Sequence, residues 1–414
     1  MDELAPSPPV FVIGMDAGGM SNLPMSAARE LFAADIIYTS RRLAGILPED
    51  LREKCRLWPS PFDIMGEEIV SHRKAGEHVA VLVSGNPFWY GAGSCLVRHV
   101  PARHLRVLPA PSAFSLAAAR LGWSLQSVET FSAHGRPIVR LELCLRPGAR
   151  VLVLARDSTT PIKAAELLVA RGFSASRLII LGNLGSGAER HVTASAAEVM
   201  EMEPEEIPSL HVLAIEMVAG KGAKIYPLTP GLPDDAFLHD GQITKQTVRA
   251  VTVCALSPMP GKLLWDIGAG NGTVSVEWLR AAGHGARAIA LEKDPKRCAR
   301  IAENAHRLGA LPLQVVEGTA PAALKGLDRP DCIFIGGKTE SAKIFDACYR
   351  SLKPGGILVC NAVTSGGEAA LHARHQDLGG DLLRLDISQA TPLGDSWAMN
   401  PALPVTQLRL RKPL

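Results

Sequence analysis

Residues 263–272 read Leu-Leu-Trp-Asp-Ile-Gly-Ala-Gly-Asn-Gly. An apolar run carries one acid, Asp266, then breaks into a turn with glycine at 268, 270 and 272, and a helical pattern starts near Thr273. The order is strand, loop, helix. Gly268 permits a tight turn, while Gly270 and Gly272 let the backbone approach a ligand closely. Helix N-terminal amides then face that ligand. A dinucleotide fingerprint needs a third glycine three residues after the second, where this chain has Thr273. A nicotinamide site and an ordinary parallel-sheet turn remain the competing readings of this stretch.

Downstream, the pattern repeats. AIALEKD is a second strand ending at Glu292, where a carboxylate can accept hydrogen bonds from the two hydroxyls of a ribose. LQVVEG leads into Gly318, Thr319 and Ala320; CIFIGG, GILVCNAV, DLLRLDIS and VTQLRLRK follow, with helical patterns between the earlier ones. Seven strands result, the last two joined without room for a crossover helix. Upstream, DGQITKQTVRAVTVCAL reads as a capped amphipathic helix on which Lys245 and Arg249 stand four residues apart on one face, a pair suited to carboxylates or to plain solvent exposure.

The first half has the same grammar. VFVIG, ADIIYTS, HVAVLVSG, HLRVLPAP, ARVLVLARD, SRLIILGNLG and LHVLAIEM are strands, with helices such as PIKAAELLVARG between them. GKGAKIYPLTPGLPDDAF, rich in glycine and proline, reads as a linker. The domain expectation is therefore α/β throughout: residues 9–220, a linker over 221–236, and residues 237–414.

Bulk properties exclude several classes. The chain has 414 residues, 47% hydrophobic and 21% charged, enough for two or three domains with large cores. A net charge of +3 leaves no footprint for nucleic acid. No apolar run approaches the ~20 residues that span a bilayer, and MDELAPSPP is unlike a secretory signal. Eight scattered cysteines without a CxxC pair point to reduced thiols in a cytoplasm and to no structural metal.

Two resemblances sharpen this reading. Asp-x-Gly-x-Gly-x-Gly over Asp266–Gly272, with Glu292 at the next strand end, resembles the first motif of class I S-adenosylmethionine-dependent methyltransferases, whose Rossmann-like sheet has seven strands and an antiparallel closing end. SGNPFWYG (84–91), PAPSAFSLAAARLGW (109–123) and SAHGRP (132–137) resemble the tetrapyrrole methylases, α/β proteins of two subdomains. TKQTVR, EGTAP, FIGG and NAVT resemble the decarboxylating methyltransferase domain of corrin synthesis. The two halves fused in this order resemble the decarboxylating precorrin-6Y methyltransferases over nearly the whole chain. That resemblance implies two S-adenosylmethionine sites, one per domain, methylation of a precorrin at meso carbons 5 and 15, loss of the ring C acetate carboxyl (carbon 12) in cobalamin biosynthesis, and a homo-oligomer. An RNA or protein methyltransferase with an accessory domain, and a non-catalytic tetrapyrrole sensor, are the alternatives.

The resemblance also implies site residues. Cofactor contacts fall to Gly85, Asn86, Ser112 and Ala113 in the first domain, and to Thr244, Asp266, Gly268, Ala269, Gly270, Asn271, Gly272, Glu292, Thr319 and Ala320 in the second. Arg41, Arg42, His134, Arg136, Lys245 and Arg249 are the candidates for the substrate's carboxylates. The chain departs from the family wording at Gly14–Gly18 (GMDAG in place of G-x-G-P-G), at Asn86 (commonly Asp) and at Ala110 (commonly Gly). The sequence Ile335-Gly336-Gly337 after the fourth strand of the second domain lacks an Asn-Pro-Pro-Tyr type motif. That disfavours a nitrogen nucleophile and suits carbon.

Overall fold

The computed structural model describes residues 7–59 and 63–414. Residues 1–6, the start of the segment read above as unlike a signal, lie outside them. The chain forms two compact units, Met1–Ile138 with Arg146–Lys224, and Val139–Leu145 with Ile225–Leu414. Among the described residues no helix is long and apolar enough to cross a membrane.

In the first unit, β1 (Val10–Met15), β2 (Ile36–Thr39), β3 (Cys55–Leu57), β4 (Val79–Ser84) and β5 (Leu105–Leu108) form a parallel sheet in the order β3-β2-β4-β1-β5. Both faces are covered, so its strands read as unbroken apolar runs. Val10, Val12, Val79, Val81 and Val83 pack on one side; Ile13, Met15, Ala80 and Leu82 pack on the other. A second sheet contains β6 (Glu129–Ser132), β7 (Arg150–Leu154), β8 (Arg177–Gly182), β9 (Arg190–Ser195) and β10 (His211–Glu216) in the order β6-β7-β10-β8-β9. It is mixed: β6 and β7 are parallel and the other pairs antiparallel. The helix Ala113–Leu121 buries Phe114 and Ala117 against Leu152, Ile179 and Val212 of this sheet.

The second unit holds a seven-stranded sheet of β11 (Leu263–Ile267), β12 (Arg287–Glu292), β13 (Leu313–Glu317), β14 (Cys332–Ile335), β15 (Ile357–Ala362), β16 (Asp381–Leu385) and, later in the chain, β19 (Val405–Arg411). The order is β13-β12-β11-β14-β15-β19-β16, with β19 antiparallel to both neighbours. Strand order therefore reverses between β11 and β14, and ligands of such sheets bind at the carboxyl ends beside that point. Between the last two strands of the sheet stands a hairpin of β17 (Ser388–Leu393) and β18 (Ser396–Pro401). Its mixed polar composition gave no alternating signal in the sequence.

Residues from the glycine- and proline-rich stretch belong to the second core: Leu232, Ala236 and Phe237 are buried with Trp278 and Leu279. The helix upstream of β11 spans Gln246–Ala255 and starts from Lys245 without a side-chain cap.

Candidate functional site

At the end of β11 the chain turns back over β12. Gly268 and Ala269 both donate backbone N–H bonds to the carbonyl of Leu291, at 2.9 and 3.0 Å. Gly268 and Gly270 take φ of +72° and +60°, which glycine adopts without strain. No atom lies within 4 Å of where a Cβ on either would stand, so the outer side of this turn is open. Gly272 shares the positive φ, at +75°, and carries a further constraint: a Cβ there would lie 2.8 Å from Cγ2 of Ile301, so this glycine also lets the helix Pro295–Arg307 pack against the turn.

Glu292 closes β12 beside that turn and is 5% exposed. Its Oε2 accepts from Gly270 N at 2.9 Å, and its Oε1 from Lys293 N and Asp294 N at 2.9 and 3.0 Å. Three backbone amides thus hold the carboxylate in place, and its remaining lone pairs are free for hydroxyl donors. Gly318 N donates to the Glu292 carbonyl at 2.8 Å, which brings the end of β13 into the same row. Thr319 is exposed there, while Ala320 packs partly into the core face that holds Trp265 and Leu291. Gly268, Ala269, Gly270, Glu292 and Thr319 therefore line consecutive strand ends. On the other side of β11, Gly336 N donates to Ile267 O at 3.3 Å, and the exposed Lys338 follows with φ +53°, which the sequence did not signal.

Asp266 and Asn271 stand behind this surface. Asp266 is 1% exposed and its Oδ2 accepts from Ser275 N and Oγ, at 3.2 and 2.5 Å. Burial pushes its carboxyl up to about 6, against the pull of the Ser275 hydrogen bonds. It fastens the first turn of the helix Thr273–Ala282 to β11 from below. Asn271 is 2% exposed and turns its amide away from the open side, donating to Gln242 O at 2.9 Å and Asp240 Oδ1 at 3.2 Å. Arg297 and Arg300 each reach Asp240 at 2.9 Å, and the hydrogen bonds from Arg297 and Asn271 hold its carboxyl far below the usual range. Asp240, Arg297 and Arg300 thus strap residues 240–242 to the glycine turn; the sequence read this aspartate only as part of a helix cap. Thr244, half-buried, follows the strap.

Arg249 is a correction. The sequence placed it on a face open to substrate, but it is 0% exposed. Its Nε pairs with Glu277 at 2.6 Å, one Nη with Asp234 at 2.9 Å and with Thr244 O, and the other with Leu232 O, over the ring of Phe237. A guanidinium with these partners has no free face for a ligand. Lys245, with 65% of its side chain exposed and 3.7 Å from Asp234, remains accessible.

In the first unit three strand ends converge. A Cβ on Gly14 would lie 2.0 Å from Gly85 O and 2.6 Å from Ala110 N, so glycine is required where β4 and β5 close on β1. Gly85 takes φ +60°. Asn86 Oδ1 accepts from Phe88 N at 2.9 Å and so shapes its own loop. Ser112, 8% exposed, caps the helix that begins at Ala113 through Ser115 N at 3.1 Å. Arg42 donates to the hydroxyl of Ser84 beside Gly85, whereas Arg41 is exposed on the short helix Arg41–Ala44. His134 is exposed, and Arg136 lies 5.2 Å over the ring of Tyr90.

Comparisons with known proteins agree with both halves. A tetrapyrrole (corrin/porphyrin) methylase model matches residues 9–200, and a precorrin methyltransferase domain model matches residues 235–412. A precorrin-6Y C(5,15)-methyltransferase [decarboxylating] from a Sinorhizobium species is 45% identical over 97% of this chain and 96% of its own length. The protein of that name from Mycobacterium tuberculosis is 36% identical over 97% of this chain and 100% of its own. A crystal structure of the C-terminal domain of precorrin-6Y C5,15-methyltransferase from Rhodobacter capsulatus is 44% identical over 45% of this chain and 100% of its own, with a TM-score of 0.43. With both domain models in order and full-length relatives at this identity, the chain belongs to the decarboxylating precorrin-6Y C(5,15)-methyltransferase family.

Proposed function

We propose that this chain methylates a precorrin at carbons 5 and 15 and removes the carboxyl of its ring C acetate, a step of cobalamin biosynthesis. The observation that carries this reading is the presence, in one chain, of both strand-end sites within sequences colinear with full-length relatives of that activity. S-adenosylmethionine supplies an electrophilic methyl group to a carbon of the macrocycle.

The second domain's residues fit that cofactor. The open side of Gly268 and Gly270 admits an adenosine against the backbone, and the immobilised Glu292 carboxylate suits the two hydroxyls of its ribose. The protein's task in such a transfer is alignment, with reacting atoms about 3–3.5 Å apart. The turn is rigid for that purpose: Asp266 fixes it from below and the Asp240–Asn271 strap from the side. We assign a second S-adenosylmethionine site to the first domain, at Gly85 and the start of the helix Ala113–Leu121, with carbon 5 as its target, and leave carbon 15 and the decarboxylation to the second; the convergence of Gly14, Gly85 and Ala110 supports the first-domain site. Arg42 and Arg136 there, and Lys245 in the second domain, are the cations we assign to substrate carboxylates.

Decarboxylation breaks the bond between the acetate methylene and its carboxyl. The electron pair passes into the conjugated macrocycle, and a proton completes the methyl group. All eight cysteines are free, which supports a reduced cytoplasmic setting. The β17–β18 hairpin leaves Leu393, Trp397 and Met399 67, 70 and 66% exposed. Two isolated strands are marginal in water, and these side chains support a homo-oligomer in which another copy covers them. Incubation with methyl-labelled S-adenosylmethionine and the reduced precorrin tests the function. Two labels gained and one carbon dioxide released per macrocycle are expected; a chain that binds the donor and transfers no label to the precorrin would overturn it.

A further inference from the structure

The loop after Asn86 carries three consecutive large aromatics, Phe88, Trp89 and Tyr90, which are 46, 45 and 44% exposed. Single exposed rings are ordinary, but three together on one loop form a patch. The loop is built to hold them outward. It folds so tightly that a Cβ on Gly91 would lie 2.5 Å from Pro87 O, and one on Gly93 2.7 Å from the same atom. Asn86 Oδ1 fixes Phe88 N at 2.9 Å, and Tyr90 sits at φ +57°, a conformation that a bulky residue keeps only under constraint.

Two of the rings rest edge-on against a buried anchor. Trp89 and Tyr90 lie 6.3 and 6.0 Å from Phe114, at 68° and 76°, and Phe114 is 1% exposed in the core of the second sheet. T-shaped contacts of this kind fix ring orientation. The patch begins three residues after Gly85, in the loop that leaves the carboxyl end of β4, with one arginine against it and another at the start of the loop. Arg136 stacks 5.2 Å over Tyr90, and Arg42 is bound to Ser84, the residue before Gly85.

We propose that Phe88, Trp89 and Tyr90 form the stacking platform for the substrate macrocycle in the first domain, with Arg136 and Arg42 taking its peripheral carboxylates. This rests on the tetrapyrrole reading above. A wide conjugated ring with acidic edges matches rigid aromatic faces bordered by guanidinium groups; an aliphatic or small ligand leaves most of this surface wet.

The test is carbon-5 methylation by the full chain, with label position read by NMR and initial rates fitted for the tetrapyrrole. Trp89→Ala and Tyr90→Ala raise KM for the tetrapyrrole about tenfold or more, on the scale of a lost stacked ring, and leave the donor's Kd unchanged. Trp89→Phe, which keeps a ring face, gives a smaller rise. Arg136→Gln, which leaves the rings in place, raises KM several-fold and keeps the proposal testable if an alanine variant folds poorly. An unchanged KM in the folded variants overturns the platform. An unchanged KM with a smaller sedimenting species assigns the patch to contact between copies instead. If the wild-type chain places no methyl on carbon 5, the first-domain reading itself fails, and the platform with it.

Discussion

Arg249 separates a structural role from a ligand-binding one by measurement. Replacing it with methionine keeps volume and removes four hydrogen bonds, to Glu277, Asp234, Thr244 O and Leu232 O. Glu277, 1% exposed, would keep only its bonds from Gly231 N and Leu232 N, at 2.7 and 2.9 Å. Breaking a buried pair from one side costs about 3–5 kcal/mol, because the other charge is stranded. For a domain of this size each kcal/mol lowers Tm by about 2–4 °C, so R249M should melt roughly 6–20 °C lower in calorimetry of the full chain. The double variant R249M/E277L removes both charges and should recover much of that loss. Substrate KM, measured below the transition, should stay near wild type. An R249M chain that melts within about 2 °C of wild type yet loses affinity for the precorrin would refute this account and restore Arg249 to the substrate surface.

Two further predictions concern pH and assembly. Asp266 titrates near 6 in the folded chain against ~3.9 unfolded. Its folded value is raised, so its contribution is present below about pH 4 and is lost as pH rises towards 6. The unfolding free energy of D266N minus that of wild type, from denaturant titration, should grow over this window and level off above it, with a ceiling of about 3 kcal/mol; a flat difference from pH 4 to 7 would contradict the burial argument. Trp397→Ser on the exposed hairpin should shift the sedimenting species to a smaller mass while the chain still binds S-adenosylmethionine, and an unchanged mass would detach the hairpin from assembly.

The parts of the fold that were legible in the sequence share one cause. Leu263–Ile267 and Val79–Val83 are buried on both faces, so apolar runs ending at glycine mark them plainly. Glu292 was legible because a strand end followed by Lys-Asp-Pro leaves one acid beside the neighbouring turn. What stayed hidden depends on long-range pairing. Arg249 and Lys245 stand four apart, but nothing local says that Glu277, on another helix, takes one inward. Asp240 looked like a cap because its true partners, Arg297 and Arg300, are about 60 residues away. Gly272 looked like its neighbours in the turn, and only Ile301 distinguishes it. The β17–β18 hairpin escaped because its strands are exposed on both faces and carry no alternation.

The central proposal is that two domains divide the work, with the Gly270–Glu292 site serving carbon 15 and the decarboxylation. Glu292→Gln tests it most directly. Loss of a charge-assisted acceptor costs about 1.5–3 kcal/mol, or roughly ten- to a hundredfold in donor affinity at that site. With S-adenosylmethionine held near the wild-type Kd, mass spectrometry and NMR of the E292Q product should show one methyl, on carbon 5, and an intact ring C acetate. A product with both methyls and the carboxyl lost, formed at the wild-type rate, would contradict the assignment.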